Sequence, residues 1–86
     1  MIIDALNSCF MFLAKAKELE DNEPSVLEIG NALGWNYPKT RNVAKALEEA
    51  GLIKLELYHG VPRKFIVRVT RKGECILKCI GGSFED

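Results

Sequence analysis

The spacing of apolar residues in this 86-residue chain changes at Gly51, and that change constrains the fold. Before Gly51, apolar residues recur at intervals of three and four, the period of amphipathic helices. After it, residues 52–58 and 65–69 form two β-rich runs, and residues 59–63 carry the turn formers of a hairpin tip. Helical spacing returns after Thr70. We therefore predict the order helix, helix, helix, strand, strand, helix, which is an α+β fold.

Residues 25–50 carry the start and stop signals of two helices joined by a tight turn. Ser25 and Glu28 have the spacing of a capping box, in which each side chain binds the other residue's backbone amide. Gly34 suits the left-handed conformation that commonly follows a helix end. Pro38 fits the first turn of the next helix, where its missing amide hydrogen costs nothing. This is the helix-turn-helix arrangement.

The first predicted helix, residues 2–20, has more apolar surface than one packing face needs. Its main stripe recurs at three- and four-residue steps and comprises Ile2, Ile3, Leu6, Cys9, Phe10 and Leu13. Three further apolar residues lie outside that stripe: Ala5, Met11 and Phe12. The last helix, which Thr70 can cap, carries Ile76, Leu77 and Ile80 and stops at Gly81 and Gly82. A helix that is apolar on more than one side needs a second partner. We therefore predict a homodimer that forms through the first and last helices.

Length and composition define the broad class of protein. A chain with 48% hydrophobic and 28% charged residues is ordinary for a globular protein, and we expect one domain over residues 1–86. No apolar run approaches the roughly 20 residues of a membrane span. The chain begins Met-Ile-Ile-Asp, without the basic residues that precede a secretory signal core. We expect a cytoplasmic protein that does not act at a membrane.

The formal net charge is zero, but the charges are unevenly distributed. Residues 1–35 contain two basic and six acidic residues, whereas residues 36–72 contain nine basic and three acidic residues. A contiguous basic segment of this kind is typical of a surface that binds a polyanion, and it is equally compatible with an ordinary solvated face.

The three cysteines cannot all pair within one chain, and we expect them to be reduced. Cys75 and Cys79 share one face of the last helix. With Cys9 or His59 they could bind a metal, or they could form a disulfide between subunits. Because the chain has one histidine and no Cys-x-x-Cys pair, a closed zinc site lacks obvious ligands. We favour small apolar side chains that fill space within the protein.

Catalytic patterns are missing from the sequence. We find no glycine-rich phosphate loop, no Ser-His-Asp pattern and no paired carboxylates in an evident cleft. The one histidine, His59, belongs to the predicted hairpin. We predict that the protein is not an enzyme and needs no cofactor or metal.

Three stretches in order carry a resemblance to a known family. Leu33-Gly34-Trp35-Asn36 and the stretch from Val43 to Ile53 resemble the recognition helix of winged helix-turn-helix proteins and its exit into the wing. The stretch from Val69 to Gly73 resembles the start of the helix after the wing. The chain is thus similar to winged helix-turn-helix regulators, especially MarR-type and related archaeal transcriptional regulators, over about residues 25–80.

The resemblance implies a three-helix core, a two-stranded β-hairpin wing and a C-terminal helix. The helix-turn-helix would cover about residues 25–50 and the wing about residues 52–70. It also implies a sequence-specific regulator that binds double-stranded DNA, with the second helix of the motif in the major groove.

The expected DNA contacts are basic and polar residues of that second helix and of the wing. On the helix they are Tyr37, Lys39, Thr40, Arg41, Asn42 and Lys45; on the wing they are Arg63, Lys64 and Arg68. Arg41 can pair with guanine and Asn42 with adenine, whereas Lys39 and Lys45 suit phosphates. Partial burial of Thr40 is the alternative, because the family usually has an apolar residue at that position. Trp35 is expected to pack in the core rather than to stack on a base.

Two other functions stay open. Winged helices also act as protein-interaction modules in larger complexes, without direct DNA contact. A regulator that responds to oxidation or metal through Cys75 and Cys79 is the third possibility.

Overall fold

A computed structural model describes the backbone of residues 2–61 and 63–81 and the side chains of residues 7–61 and 63–79. The helices are α1 (Ile2–Glu18), α2 (Val26–Leu33), α3 (Tyr37–Glu49) and α4 (Arg71–Gly81), and a 3-10 turn (Glu20–Asn22) follows α1. The strands are β1 (Ile53–Tyr58) and β2 (Lys64–Val69). The element order is the predicted one, and the helix-turn-helix with its hairpin wing is confirmed.

The predicted capping box at the start of α2 is confirmed. The Ser25 hydroxyl oxygen accepts the Glu28 N–H at 3.1 Å, and the Glu28 carboxylate accepts the Ser25 N–H at 3.2 Å. Gly34 ends α2 in the left-handed conformation, with φ of 74°. These contacts lie within a few residues of one another, which is why the sequence predicted them.

The start of α3 has a cap that the sequence analysis missed. The Asn36 side-chain oxygen accepts the Lys39 N–H at 2.9 Å, and Pro38 lies in the first turn as predicted. Asparagine is among the preferred N-cap residues because its side chain satisfies one free amide of the first turn. The chain leaves α3 through Gly51, which has φ of 79°.

The core lies between α1, the helix-turn-helix and the sheet. Phe12, Leu13 and Ala16 of α1 are buried, and they pack in one cluster with buried residues of the other elements: Val26, Ile29, Ala44, Leu47, Ile53 and Val67. The prediction that Phe12 is left over after core packing is wrong, because its side chain is 0% exposed. Helix α1 contacts α2, α3, α4 and β2 together, so its buried face is broader than one stripe. Met11 is 39% exposed, as expected, and the Ala5 side chain lies outside the described residues.

The wing is anchored to the chain segment that precedes α2. Strands β1 and β2 pair antiparallel from Ile53 opposite Val69 to Tyr58 opposite Lys64. On the other edge of β2, the Val67 N–H donates to the Pro24 carbonyl at 2.8 Å, next to an antiparallel bridge between Ser25 and Ile66. The start of the helix-turn-helix and the wing are therefore held together by backbone hydrogen bonds.

The cysteines differ from the prediction. Cys9 is half-buried against the core, but Cys75 and Cys79 are exposed on α4, so their assignment as apolar filler is wrong. Helix α4 packs through Ile76 and Leu77, which leaves both thiols on its outer side. No group of three or more metal-binding side chains and no helix fit to cross a membrane was found within the described residues.

The close contact between Gly30 and Thr40 predicts that a larger side chain at position 30 destabilises the helix-turn-helix. A Cβ added to Gly30 would lie 2.9 Å from Thr40 Cγ2 and closer still to its hydroxyl oxygen. We expect Gly30→Ala to lower the free energy of unfolding by about 1–3 kcal/mol through overpacking. Thr40→Ala in the same background should recover part of the loss, which a double-mutant cycle in urea would measure. Asn31→Ala, exposed on the same helix, is the control, and purely additive effects of the two substitutions would contradict this packing.

Candidate nucleic-acid interface

Helix α3 divides the predicted contact residues between buried and exposed sides. Thr40, Ala44 and Leu47 face the core. The other residues predicted on this helix are exposed: Tyr37, Lys39, Arg41, Asn42 and Lys45. Within that set, Tyr37, Arg41 and Lys45 are spaced four residues apart, so they lie on one side of the helix.

The prediction of Thr40 as a DNA contact is wrong. Its side chain is 0% exposed, and its hydroxyl donates to the Asn36 carbonyl at 2.8 Å. The helical period places Thr40 four and seven residues before Ala44 and Leu47, on the same inward face. The apolar residue that the family resemblance implies at this position agrees with its burial.

Lys39 and Trp35 form a contact at the turn of the motif. The Lys39 ammonium lies 4.6 Å from the centroid of the Trp35 ring, within the range of a cation–π interaction. Trp35 is half-buried and packs against the core, as predicted. Lys39 is exposed, and its contact with a phosphate stays a prediction.

Arg41 and Lys45 lie on the side of α3 that faces the wing. Together with Glu48 of α3 and Leu55 and Phe65 of the wing, they line a cleft of about 220 Å³. Within the described residues, neither Arg41 nor Lys45 takes part in an ion pair. Their charges are therefore available at the edge of this cleft.

The wing cations Arg63 and Lys64 have different surroundings. Arg63 is exposed and forms no ion pair with any residue that the structure describes. The Lys64 ammonium lies 3.7 Å from a Glu28 carboxylate oxygen and 5.4 Å from the centroid of the Tyr58 ring. Lys64 thus has an internal counter-charge, whereas Arg63 has none among these residues.

Arg68 is held by two carboxylates. Its guanidinium donates to Glu56 and, at 2.9 Å, to Glu23. The hydrogen bond to Glu56, followed by the one to Glu23, raises the pKa of Arg68, and the same guanidinium lowers the pKa of Glu56. A DNA contact by Arg68 stays a prediction, and it would require the side chain to leave both partners.

Four large apolar side chains lie exposed on this surface, and of these only Tyr37 was predicted as a functional residue. Leu27, Tyr37, Leu57 and Phe65 are between 41% and 53% exposed. They line a second cleft of about 790 Å³, together with Val26, Ser25, Glu28, Arg63 and Lys64. The sequence predicted only that Leu57 and Phe65 lie in the two strands of the wing. Only the tertiary arrangement leaves them half-open between the wing and α2.

Comparisons with known proteins support the fold. No profile of a known protein family matches the chain, and no curated protein sequence does. Among solved structures, a MepR variant from a multidrug-resistant clinical isolate of Staphylococcus aureus is similar with a TM-score of 0.73 and 19% identity, over 87% of this chain and 56% of that one. S. aureus MarR in complex with salicylate and kanamycin is similar with a TM-score of 0.64 and 21% identity, over 84% of this chain and 50% of that one. AF1382 from Archaeoglobus fulgidus is similar with a TM-score of 0.67 and 23% identity, over 91% of this chain and 87% of that one.

These likenesses extend over most of this chain but not over all of its neighbours. The chain spans about half of the length of the MepR and MarR chains. Its four helices and two-stranded hairpin follow the architecture that the sequence resemblance implied. The chain therefore has a winged-helix fold similar to the folds of MepR, MarR and AF1382.

Proposed function

We propose that this protein is a transcriptional regulator that binds double-stranded DNA, with α3 in the major groove and the wing against the phosphate backbone. One observation carries the proposal. Arg41 and Lys45 of α3 and Arg63 of the wing are far apart in the sequence, yet they line two adjoining clefts where the wing meets α2 and α3. Separate cations brought to one surface match a polyanion with regularly spaced charges. The winged-helix fold of the neighbouring regulators supports this proposal as an analogy.

In this proposal the exposed residues have distinct roles. Arg41 pairs with a guanine, and Asn42 pairs with an adenine, through two hydrogen bonds each. Lys39, Lys45 and Arg63 contact phosphates, which position the protein without reading sequence.

Salt dependence of binding tests whether the surface contacts phosphates. Each neutralised phosphate contributes about 0.9 to the slope of log affinity against log salt. Arg63→Ala removes one cation from the interface and should therefore reduce this slope by about one. Lys54→Ala removes an equal charge from an exposed position of β1 that lines neither cleft, and it should leave the slope unchanged. No duplex binding by the wild type at low salt would overturn the proposal.

Sequence reading by Arg41 is tested by selection of bound duplexes from random DNA. We expect the wild-type chain to enrich a motif, and Arg41→Ala to relax the preference at one position at a cost of about 1–3 kcal/mol. Uniform weakening across all sequences would instead identify Arg41 as a phosphate contact. Enrichment that is identical for both proteins would exclude Arg41 from the interface.

The ion pair between Glu28 and Lys64 predicts a gain of affinity. Glu28→Gln keeps the capping box, because glutamine can accept the Ser25 N–H, but it removes the counter-charge from Lys64. The freed lysine should increase DNA affinity at low salt and steepen the salt slope by about 0.9. Glu20→Gln, which removes the carboxylate that pairs with Lys17 in the turn after α1, is the matched control. Equal effects of the two substitutions would contradict a local role for Lys64.

We also propose a homodimer through α1 and α4, which would present two copies of α3 about one helical turn, roughly 34 Å, apart on DNA. The exposed Met11 of α1 and the outer side of α4 at Cys75 and Cys79 support this interface, although Phe12 does not contribute to it. Sedimentation should give a dimer, and Met11→Glu should shift it towards monomer. A wild-type monomer at tens of micromolar would contradict the interface.

A further inference from the structure

The two clefts beside α3 form one groove. Both are lined by Val26, Tyr37 and Phe65, so they share a wall. The larger cleft extends towards Leu57 and the wing, and the smaller one runs along α3. We call their combined lining the α3–wing groove.

The floor of the α3–wing groove is more apolar than a phosphate backbone requires. Leu27, Tyr37, Leu57 and Phe65 leave between 41% and 53% of their surface exposed there. A duplex presents mainly charged phosphates, sugars and the edges of bases, with thymine methyl groups as the main apolar contact of the major groove. Large apolar side chains that lie together and are surrounded by polar residues are typical of protein-interaction sites.

The charges on the rim define what such a partner must carry. Arg63 lies at the larger cleft, and Arg41 and Lys45 lie at the smaller one. Glu28 has Lys64 as its counter-charge, which leaves Glu48 as the remaining carboxylate of the lining. The groove therefore has an excess of positive charge around an apolar floor.

The two clefts share a wall and together extend from the wing along α3, so an elongated occupant fits them better than a compact one. The volumes are about 790 and 220 Å³, and the clefts lie side by side. Side chains three or four residues apart on a helix have Cβ atoms about 5–6 Å apart. An amphipathic segment with several apolar side chains at this spacing can therefore contact both adjoining clefts at once.

We propose that the α3–wing groove binds an acidic, amphipathic peptide segment of a partner protein. Large apolar side chains of the segment occupy both clefts, and its carboxylates face Arg63 and Arg41. Such a segment covers the same cations that the proposed DNA complex uses. The consequence for regulation, which rests on the proposed function, is that the peptide and the duplex exclude each other.

Selection of random twelve-residue peptides displayed on phage, with the immobilised full chain as bait, tests the peptide site without DNA. We expect enriched peptides to combine acidic residues with large apolar residues at helical spacing. A fluorescein-labelled synthetic copy of an enriched peptide is then titrated with variants of the chain. Phe65→Ser and Arg63→Glu should each weaken its binding at least tenfold. Val61→Ser is the matched control, because Val61 is 100% exposed on the wing and does not line the groove.

A substitute variant covers the case in which Phe65→Ser does not fold. If Phe65→Ser does not fold by circular dichroism, Leu27→Ser replaces it, since Leu27 is 53% exposed and its loss removes little packing. Absence of enrichment, enriched peptides without acidic residues, or equal binding to Phe65→Ser and the wild type would overturn the peptide site.

Competition with DNA separates this proposal from the proposed function. Addition of a duplex from the DNA selection should displace the labelled peptide, and simultaneous binding would overturn mutual exclusion. A peptide that binds in the groove of a chain without affinity for any duplex would support the site and overturn the proposed function. A chain that binds DNA but enriches no peptide would support the proposed function and overturn the peptide site.

Discussion

One threonine at the base of the wing, Thr70, joins the wing to the helix-turn-helix. The Thr70 hydroxyl donates to the Gly51 carbonyl at 2.6 Å and accepts the Gly73 N–H at 3.2 Å. It thereby joins the turn after α3 to the end of β2 and caps the first turn of α4. The Lys72 ammonium adds a hydrogen bond to the Ala50 carbonyl at 3.0 Å, at the negative end of the α3 dipole. These hydrogen bonds hold the base of the wing beside the C-terminal end of α3.

A second attachment holds β2, the inner strand of the wing. The hydrogen bond from Val67 to Pro24 connects β2 to the residues before α2, and the ion pair of Lys64 with Glu28 lies beyond it. The wing is thus held at its base and along one edge, which leaves its tip and its α3 side open. A hairpin held in this way presents Arg63 in a defined position, whereas a free hairpin would lose binding free energy when it became ordered.

The fold also divides the basic segment into two groups of cations. Arg68 and Lys64 are paired with carboxylates of the loop before α2, of β1 and of α2. Arg41 and Arg63 have no such partner within the described part of the chain. A formal net charge of zero therefore coexists with a basic surface, because acidic residues neutralise cations on one side of the wing and leave the others unmatched.

The sequence by itself determined the element order, the caps at Ser25 and Gly34 and the entry of α3 at Pro38. Those features depend on hydrogen bonds and backbone preferences over a few residues, which a local pattern encodes. Tertiary packing decided which side chains are buried and which cations are free. Phe12 is buried because α1 packs against α2, α3, α4 and β2 together, and Thr40 is buried because α2 packs against it at Gly30. The groove beside α3 exists only where the wing meets the helix-turn-helix, and no local spacing reports the distance between two elements.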